Sequence, residues 1–416
     1  MTGAGGAGPA VVVVGASLAG LRAVEELRHR GFDGPITVVG AERHLPYDRP
    51  PLSKQLLAGE WGVDRIALTV TTPGGLDGLD VDWRLGTRAV GLDVGGRRVA
   101  LEGGDELRYD GLVIATGAAP RRLPGTDGLA GVHTLRTLDD ALAIRADLDA
   151  GPRRVVVIGA GFVGAEVAAT CRGRGHEVTL LEALPVPLER ALGAEMGNVV
   201  AELHRDHGVD LRLGVGVAGF EGDGRVERVR LADGSAVPAD LVVVGIGVSP
   251  ATDWLAGSGL ALDDGVVCDA TTWVAPGVVA AGDVARWPSR RLGELVRVEH
   301  WDNAVAMGAH AARRLLAEPP FAGGDGGEVE PYDPVPWFWS DQYDRKVQLA
   351  GWSAGADEVA VVDGSTEDRR FVALYRRGDR LVGALSMNRP RPLVTYRRLI
   401  EEGAGWEEAM AQAASA

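Results

Sequence analysis

Cysteine is nearly absent from this chain. Its 416 residues include two, Cys171 and Cys268, 97 positions apart. That spacing excludes a Cys-x-x-Cys or Cys-x-x-x-x-Cys redox pair, a cysteine zinc site and an internal iron–sulfur cluster. Lysine is just as scarce: of 43 cationic residues only Lys54 and Lys346 are lysines, the rest arginines. Positive charge is also short overall. A net charge of −15 argues against nucleic acid and anionic membrane as partners. Met1 to Ala10 is rich in Gly and Ala and has no positive run, and the apolar stretch after it stops at four valines. No signal peptide or membrane span is expected, and a cytoplasmic enzyme is the reading.

What the chain does have is glycine, 60 residues of it, and two copies of one pattern. Val11-Val12-Val13-Val14-Gly15-Ala16-Ser17-Leu18-Ala19-Gly20 opens the chain. Val155-Val156-Val157-Ile158-Gly159-Ala160-Gly161-Phe162-Val163-Gly164 repeats it 144 residues later. Each reads as a buried parallel strand, a tight turn and a helix. The first helix carries Leu18, Leu21, Val24 and Leu27 at helical spacing, with Gly31 as its stop. The second is expected to turn Val163, Val167 and Cys171 inward, with Gly175 as its stop. Ile36 to Val39 and Val178 to Leu181 are the following strands. Strand-rich stretches, Val81 to Val113 and Leu211 to Val244, come after each unit. They end in matching exit strands at Leu112-Val113-Ile114-Ala115-Thr116-Gly117 and Leu241-Val242-Val243-Val244-Gly245-Ile246-Gly247.

A glycine-rich turn before a helix presents free N–H groups and the positive end of a dipole to a pyrophosphate. Gly159-x-Gly161-x-x-Gly164 is complete. In Gly15-x-Ser17-x-x-Gly20 a serine holds the middle position, and its hydroxyl is a candidate phosphate donor. An acid at the end of the next strand holds the adenosine ribose. Glu182 fills that place in the second unit and favours NAD over NADP. Glu42 is the candidate in the first, although Gly40 and Ala41 intervene and a neighbour is an alternative. Two such units imply a flavin exchanging electrons with a nicotinamide.

The expected fold is α/β: two Rossmann-like dinucleotide-binding domains of glutathione-reductase type, plus a small α+β C-terminal domain. The divisions read 1–117 with 246–322 for FAD, 118–245 for NAD, and 328–416 for the C-terminal domain. Gly323-Gly324-Asp325-Gly326-Gly327 is the expected linker. Trp337 and Trp339 fall on one face of an expected strand. One is read as core and the other as facing the cofactor.

Further segments carry a resemblance. They are Leu45-Pro46-Tyr47-Asp48-Arg49-Pro50-Pro51-Leu52-Ser53-Lys54, Ala280-Ala281-Gly282-Asp283, Val298-Glu299-His300-Trp301-Asp302-Asn303-Ala304 and Pro336-Trp337-Phe338-Trp339-Ser340-Asp341-Gln342. Taken in this order, the chain resembles the NADH-dependent ferredoxin reductases of bacterial oxygenase systems, a family that includes the putidaredoxin, rubredoxin and biphenyl dioxygenase reductases. The resemblance implies FAD on Gly15, Ser17, Leu18, Ala19, Gly20, Glu42, Arg49, Val90, Ala115, Thr116, Gly117, Arg136, Gly282 and Asp283. Asp283 would hold the ribityl chain. Glu299 and His300 would meet the isoalloxazine edge through their backbone, and Trp339 would lie against the flavin. It implies NAD on Gly159, Gly161 and Gly164. Phe162, Val163 and Glu166 would be near the nicotinamide, Glu182 and Arg190 near the adenosine, and Gly245 and Gly247 in the closing loop. Lys54 would sit near flavin N5, paired with Glu166, as the catalytic pair.

The same scaffold serves disulfide reductases, which need a cysteine near the flavin, and residues 1–170 contain none. The electrons are therefore expected to pass directly to an outside acceptor, a [2Fe–2S] ferredoxin feeding a cytochrome P450 or dioxygenase. Arg290 with Arg291, Arg313 with Arg314, Arg345 with Lys346, and Arg397 with Arg398 are candidate docking cations. The expected assembly is a monomer or weak homodimer. The competing readings are a reductase of quinones or other small molecules, and an FAD-binding interaction protein with little turnover.

Overall fold

The computed structural model describes residues 8–126, 128–151, 153–322 and 328–415; the Gly323 to Gly327 stretch lies outside them. The chain forms two compact units. One comprises residues up to Asp48, Ile66–Ala119 and Ser249–Pro334. The other comprises Arg49–Arg65, Pro120–Val248 and the chain from Val335 on.

In the first unit the strand Val11–Val14 is buried at every position. That follows from its place inside a parallel sheet covered on both faces. It pairs in parallel with Ile36–Gly40 on one side and Gly111–Ile114 on the other. Val278–Ala280 and Val81–Leu85 extend the sheet, and the antiparallel strand Trp273–Ala275 closes one edge. The helix Leu18–His29 buries Leu18, Leu21, Val24 and Leu27. Gly31, at φ 83°, ends it. Helix Trp301–Leu316 packs on this helix closely enough that a Cβ on Gly308 would lie 2.4 Å from the Ala19 carbonyl oxygen. An antiparallel three-stranded sheet, Ala89–Asp93, Arg98–Leu101 and Glu106–Arg108, precedes the exit strand.

The second unit repeats the plan. Its parallel sheet runs in the order Asp210–Leu213, Glu177–Glu182, Arg154–Ile158, Leu241–Val244, Val132–Thr134. Helix Phe162–Gly173 buries Val167 and Cys171. Val163 departs from the expected inward face and is 43% exposed. It is the second residue of the helix, where no preceding turn covers it. Residues 49–65 fold with this unit because polar side chains grip their backbone. Thr170 Oγ1 donates to the Ser53 carbonyl at 2.7 Å, and Arg174 Nη1 donates to the Leu57 carbonyl at 2.9 Å.

The C-terminal part of the second unit is an antiparallel sheet in the order Trp337–Gln342, Arg345–Gly351, Arg380–Met387, Arg370–Arg377, Glu358–Ser365. Helices Pro390–Glu402 and Trp406–Ala414 follow it. One face of the sheet packs on Leu393, Tyr396, Leu399 and Ile400. The other packs on Leu188, Leu192, Met196 and Val200. Among the described residues no helix is long and apolar enough to cross a membrane.

Candidate active site

The two glycine turns are built by the same close approaches. A Cβ on Gly15 would lie 2.0 Å from the Ala115 carbonyl oxygen, and one on Gly20 would lie 1.9 Å from the Gly15 carbonyl oxygen. In the second unit a Cβ on Gly159 would lie 2.4 Å from the Gly245 carbonyl oxygen, and one on Gly164 1.9 Å from that of Gly159. The first and third glycines are thus imposed by the protein itself. The middle position is different: a Cβ on Gly161 would meet nothing within 4 Å. Ser17, at the matching place, has extended backbone (φ −122°, ψ −161°) that any L-residue adopts. Each turn opens a helix, and a helix N-terminus with free N–H groups is where a pyrophosphate can bind.

Around the first turn the fold gathers several of the expected flavin residues. Gly282, at φ 75°, lies where an added Cβ would be 2.9 Å from the Ala19 Cβ, so the Asp283 segment reaches the start of the Leu18 helix. Asp283 itself sits in a short 3-10 turn after the strand Val278–Ala280. Ala115 N donates to Val14 O at 2.8 Å, and Thr116 Oγ1 donates to Ala251 O at 2.8 Å. Gly117 is in the left-handed region, at φ 68°. Glu42 follows the second strand and accepts from the Tyr47 hydroxyl. His300 caps the Trp301 helix, and burial lowers its pKa to about 4 despite the nearby Asp283 carboxylate. Glu299 pairs with Arg297 at 2.6 Å, and Val90 is exposed on its strand.

In the second unit Glu182 is the last residue of its strand. Its Oε2 accepts from Ala160 N at 2.7 Å and its Oε1 from Leu184 N at 2.9 Å. The carboxylate is therefore clamped against the glycine turn. Arg190 is exposed at the start of the helix Glu189–Asp206. Phe162 lies 4.4 Å, centroid to centroid, from Phe338. Gly245 N donates to Ile158 O at 2.7 Å, and Gly247 is left-handed at φ 93°. The Arg136 carbonyl accepts from Arg49 Nη1.

Three polar side chains converge on Glu166, one turn into the Phe162 helix. Lys54 Nζ is 2.9 Å from Glu166 Oε2, with side-chain exposures of 10% and 7%. Ser53 Oγ donates to the same oxygen at 2.5 Å, and Ser340 Oγ donates to Oε1 at 2.8 Å. Both serines are buried. A buried carboxylate needs such partners to remain charged. Sequence reasoning singled out Lys54 and Glu166 but missed both serines as ligands of the carboxylate. Each lies inside a quoted motif, yet nothing in its spacing says which side chain it will meet.

Trp337 and Trp339 stack on the shared face, 5.2 Å between centroids. Trp337 belongs to the core against the C-terminal helices. Lys346 stands 6.0 Å from the Trp339 ring centre and pairs with Asp341. Other proposed docking cations are also ion-paired: Arg313 to Glu26, Arg314 to Glu318, Arg345 to Asp344 and Arg398 to Glu402. Cys171 and Cys268 are free and buried, and burial pushes both thiols up to about 12. Neither supplies a thiolate near neutral pH.

Two dinucleotide turns, a buried lysine–carboxylate pair and no reactive thiol define a pyridine-nucleotide oxidoreductase of the two-dinucleotide class. Residues 9–308 match the family model described as pyridine nucleotide-disulphide oxidoreductase, and 337–416 match that described as reductase C-terminal. The chain is 39% identical to rhodocoxin reductase of Rhodococcus erythropolis over 393 residues, covering 94% of this chain and 89% of that protein. It is 37% identical to the putidaredoxin reductase CamA of Pseudomonas putida over 388 residues, covering 91% and 89%. The reductase in the crystal structure of the covalent putidaredoxin reductase–putidaredoxin complex superposes with a TM-score of 0.88 at 35% identity, over 95% of this chain and 94% of that one. The protein belongs to the ferredoxin–NAD(+) reductases of bacterial oxygenase systems.

Proposed function

We infer that the protein is an FAD-dependent NADH:ferredoxin oxidoreductase that delivers electrons to a [2Fe–2S] ferredoxin and, through it, to a cytochrome P450 or other oxygenase. One observation carries this reading. Glu166, on the helix that opens from the intact nicotinamide turn, holds the buried Lys54 ammonium, in a chain whose only thiols are protonated and buried. FAD, when bound, supplies the redox chemistry, accepting a hydride from NADH and releasing electrons singly.

The residues supply position and charge. The turn at Gly15, Ser17 and Gly20, with Glu42, Gly282 and Asp283, holds FAD, joined by Arg49, Arg136 and the backbone of Glu299 and His300. The turn at Gly159, Gly161 and Gly164 holds NADH, with Glu182 on the ribose. The Lys54 ammonium stabilises the negative charge that develops at the flavin, and Glu166 fixes the ammonium. FAD belongs to 1–117 with 246–322, NAD to 118–245, and the C-terminal domain to 328–416. A cytoplasmic location fits two free, protonated thiols.

Anaerobic addition of NADH to the purified yellow protein tests the reading. Stoichiometric bleaching of the flavin absorption is expected. A protein that carries no flavin, or whose flavin NADH leaves oxidised, overturns it.

A further inference from the structure

The hydrogen bonds around Glu166 do not stop at its carboxylate. Gln342 Nε2 donates to Ser340 Oγ at 3.2 Å. Ser340 Oγ in turn donates to Glu166 Oε1 at 2.8 Å. The Gln342 side chain neighbours His204, but Gln342 Oε1 and His204 Nε2 are buried without a hydrogen-bond partner among the described residues, and His204 Nδ1 lies 2.9 Å from the Tyr343 hydroxyl. Tyr343 stacks on His207, 3.7 Å between ring centres and 9° from parallel. Ser340, Gln342 and His204 are each 0% exposed. Fully buried polar side chains are costly unless satisfied, and the two hydrogen bonds from Gln342 to Ser340 and from Ser340 to Glu166 hold Gln342, Ser340 and Glu166 in one geometry.

These side chains come from three parts of the chain. Glu166 comes from the nicotinamide helix, Ser340 and Gln342 from the first strand of the C-terminal sheet, and His204 from the helix Glu189–Asp206. Ser340 and Gln342 are two positions apart and share a face of their strand. Without Ser340, Glu166 Oε1 would lose its side-chain donor in a site closed to water. The carboxylate would then be held at Oε2 alone, by Lys54 and Ser53, and its orientation toward Lys54 would be less fixed.

We propose that Ser340 is a positioning residue for hydride transfer: backed by Gln342, it fixes the Glu166 carboxylate so that Oε2 stays committed to Lys54. The C-terminal sheet thereby forms part of the hydride-transfer machinery. The inference rests on the reading of Lys54 and Glu166 as the charge-stabilising pair.

The test compares holoenzymes carrying Ser340→Ala, Ser340→Thr and Lys54→Met. It measures the limiting rate of flavin reduction, the NADH dissociation constant from the same stopped-flow series, and the equilibrium midpoint potential of the bound FAD. Ser340→Ala is expected to slow the limiting rate about tenfold, with less than about a twofold change in NADH affinity. It is also expected to lower the midpoint potential, because the cation that favours the reduced cofactor is held less well. Ser340→Thr, which keeps a hydroxyl, is expected to recover both. If Ser340→Ala gives no folded holoenzyme, Gln342→Met takes its place, with the same two shifts expected. Wild-type rate and potential in the Ser340 or Gln342 variant, alongside clear loss in Lys54→Met, overturn this inference and leave the pair intact. Wild-type rate and potential in Lys54→Met overturn the reading beneath it.

Discussion

Lys54 Nζ stands 2.9 Å from Glu166 Oε2, a contact that joins residues 112 positions apart. Both side chains are nearly shut off from water. Removing one partner of such a pair leaves a buried charge alone, which typically costs about 3–5 kcal/mol.

The first prediction concerns that lysine. Lys54→Met keeps length and removes charge. Flavin reduction by NADH, followed by stopped flow, should slow by about 10²-fold, the low end for a preorganised electrostatic contact. FAD content should stay near the wild-type value. Loss of FAD with an unchanged rate would make Lys54 a cofactor anchor instead.

The glycine turns were legible in the sequence because backbone geometry dictates them. Gly15, Gly20, Gly159 and Gly164 sit where a Cβ would strike a carbonyl, and only one residue type fits. The paired strands and helices were legible for a similar reason, since burial on both faces leaves unbroken apolar runs. Val163 was misread because helical spacing cannot say where a helix begins: as the second residue of its helix it is exposed, while Gly164 and Ala165 of the same turn are buried. Ser53 and Ser340 were recognisable as motif residues but not as partners of one carboxylate. That relation exists only after the chain brings positions 53, 166 and 340 together. The place of Trp337 against the C-terminal core likewise became visible only with the packing of the C-terminal helices.

Nicotinamide choice should rest on Glu182. Its carboxylate is clamped by Ala160 N and Leu184 N, so it cannot swing far from an incoming 2′-phosphate. Like-charge repulsion at 4 Å is roughly 4 kcal/mol at an effective dielectric of 20, before screening. After discounting for exposure, an NADH preference of about two orders of magnitude in kcat/KM is expected. Glu182→Ala should narrow it. Steady-state kinetics with both nucleotides checks this, and equal use of NADPH by the unaltered enzyme would contradict it.

The two stacked tryptophans should separate by readout. Trp339→Ala should shift the flavin absorption or fluorescence with little change in Tm. Trp337→Ala removes part of the C-terminal core and should lower stability by about 1–3 kcal/mol, discounted from the 3–5 kcal/mol of a fully buried site. Thermal melts and flavin spectra of both variants decide it. An unchanged spectrum with a much lower Tm for Trp339→Ala would place that ring in the core as well.

Stability should depend on pH through His204. Burial and the neighbouring His207 lower its pKa from the ordinary 6.5 to about 4, while Gln342 opposes that shift. The unfolded chain therefore binds the extra proton first. The favourable contribution of the neutral imidazole is complete above the unfolded pKa of roughly 6.5 and is lost as pH falls towards 4. The size is on the order of 3 kcal/mol at the acid end. Melting curves between about pH 7 and pH 4, the window those two pKa values define, should fall more steeply for the unaltered protein than for His204→Asn. Parallel slopes would show that His204 titrates normally.

The central claim is that the enzyme reduces a ferredoxin. With no thiolate to relay them, electrons must leave the flavin for an external acceptor, in a small, charge-steered encounter. A net charge of −15 repels an acidic ferredoxin overall, and several of the candidate arginines already pair with acids. Docking therefore needs a local cationic rim, whose attraction is screened by salt. The most direct measurement is NADH-driven cytochrome c reduction with and without added [2Fe–2S] ferredoxin, run beside direct ferricyanide reduction at the same NADH concentration. Cytochrome c reduction should require the ferredoxin and should fall between low and roughly 0.5 M salt, while ferricyanide reduction changes far less. If a panel of [2Fe–2S] ferredoxins adds nothing above background while a quinone or other small molecule turns over quickly, the account is contradicted and the protein is a small-molecule reductase.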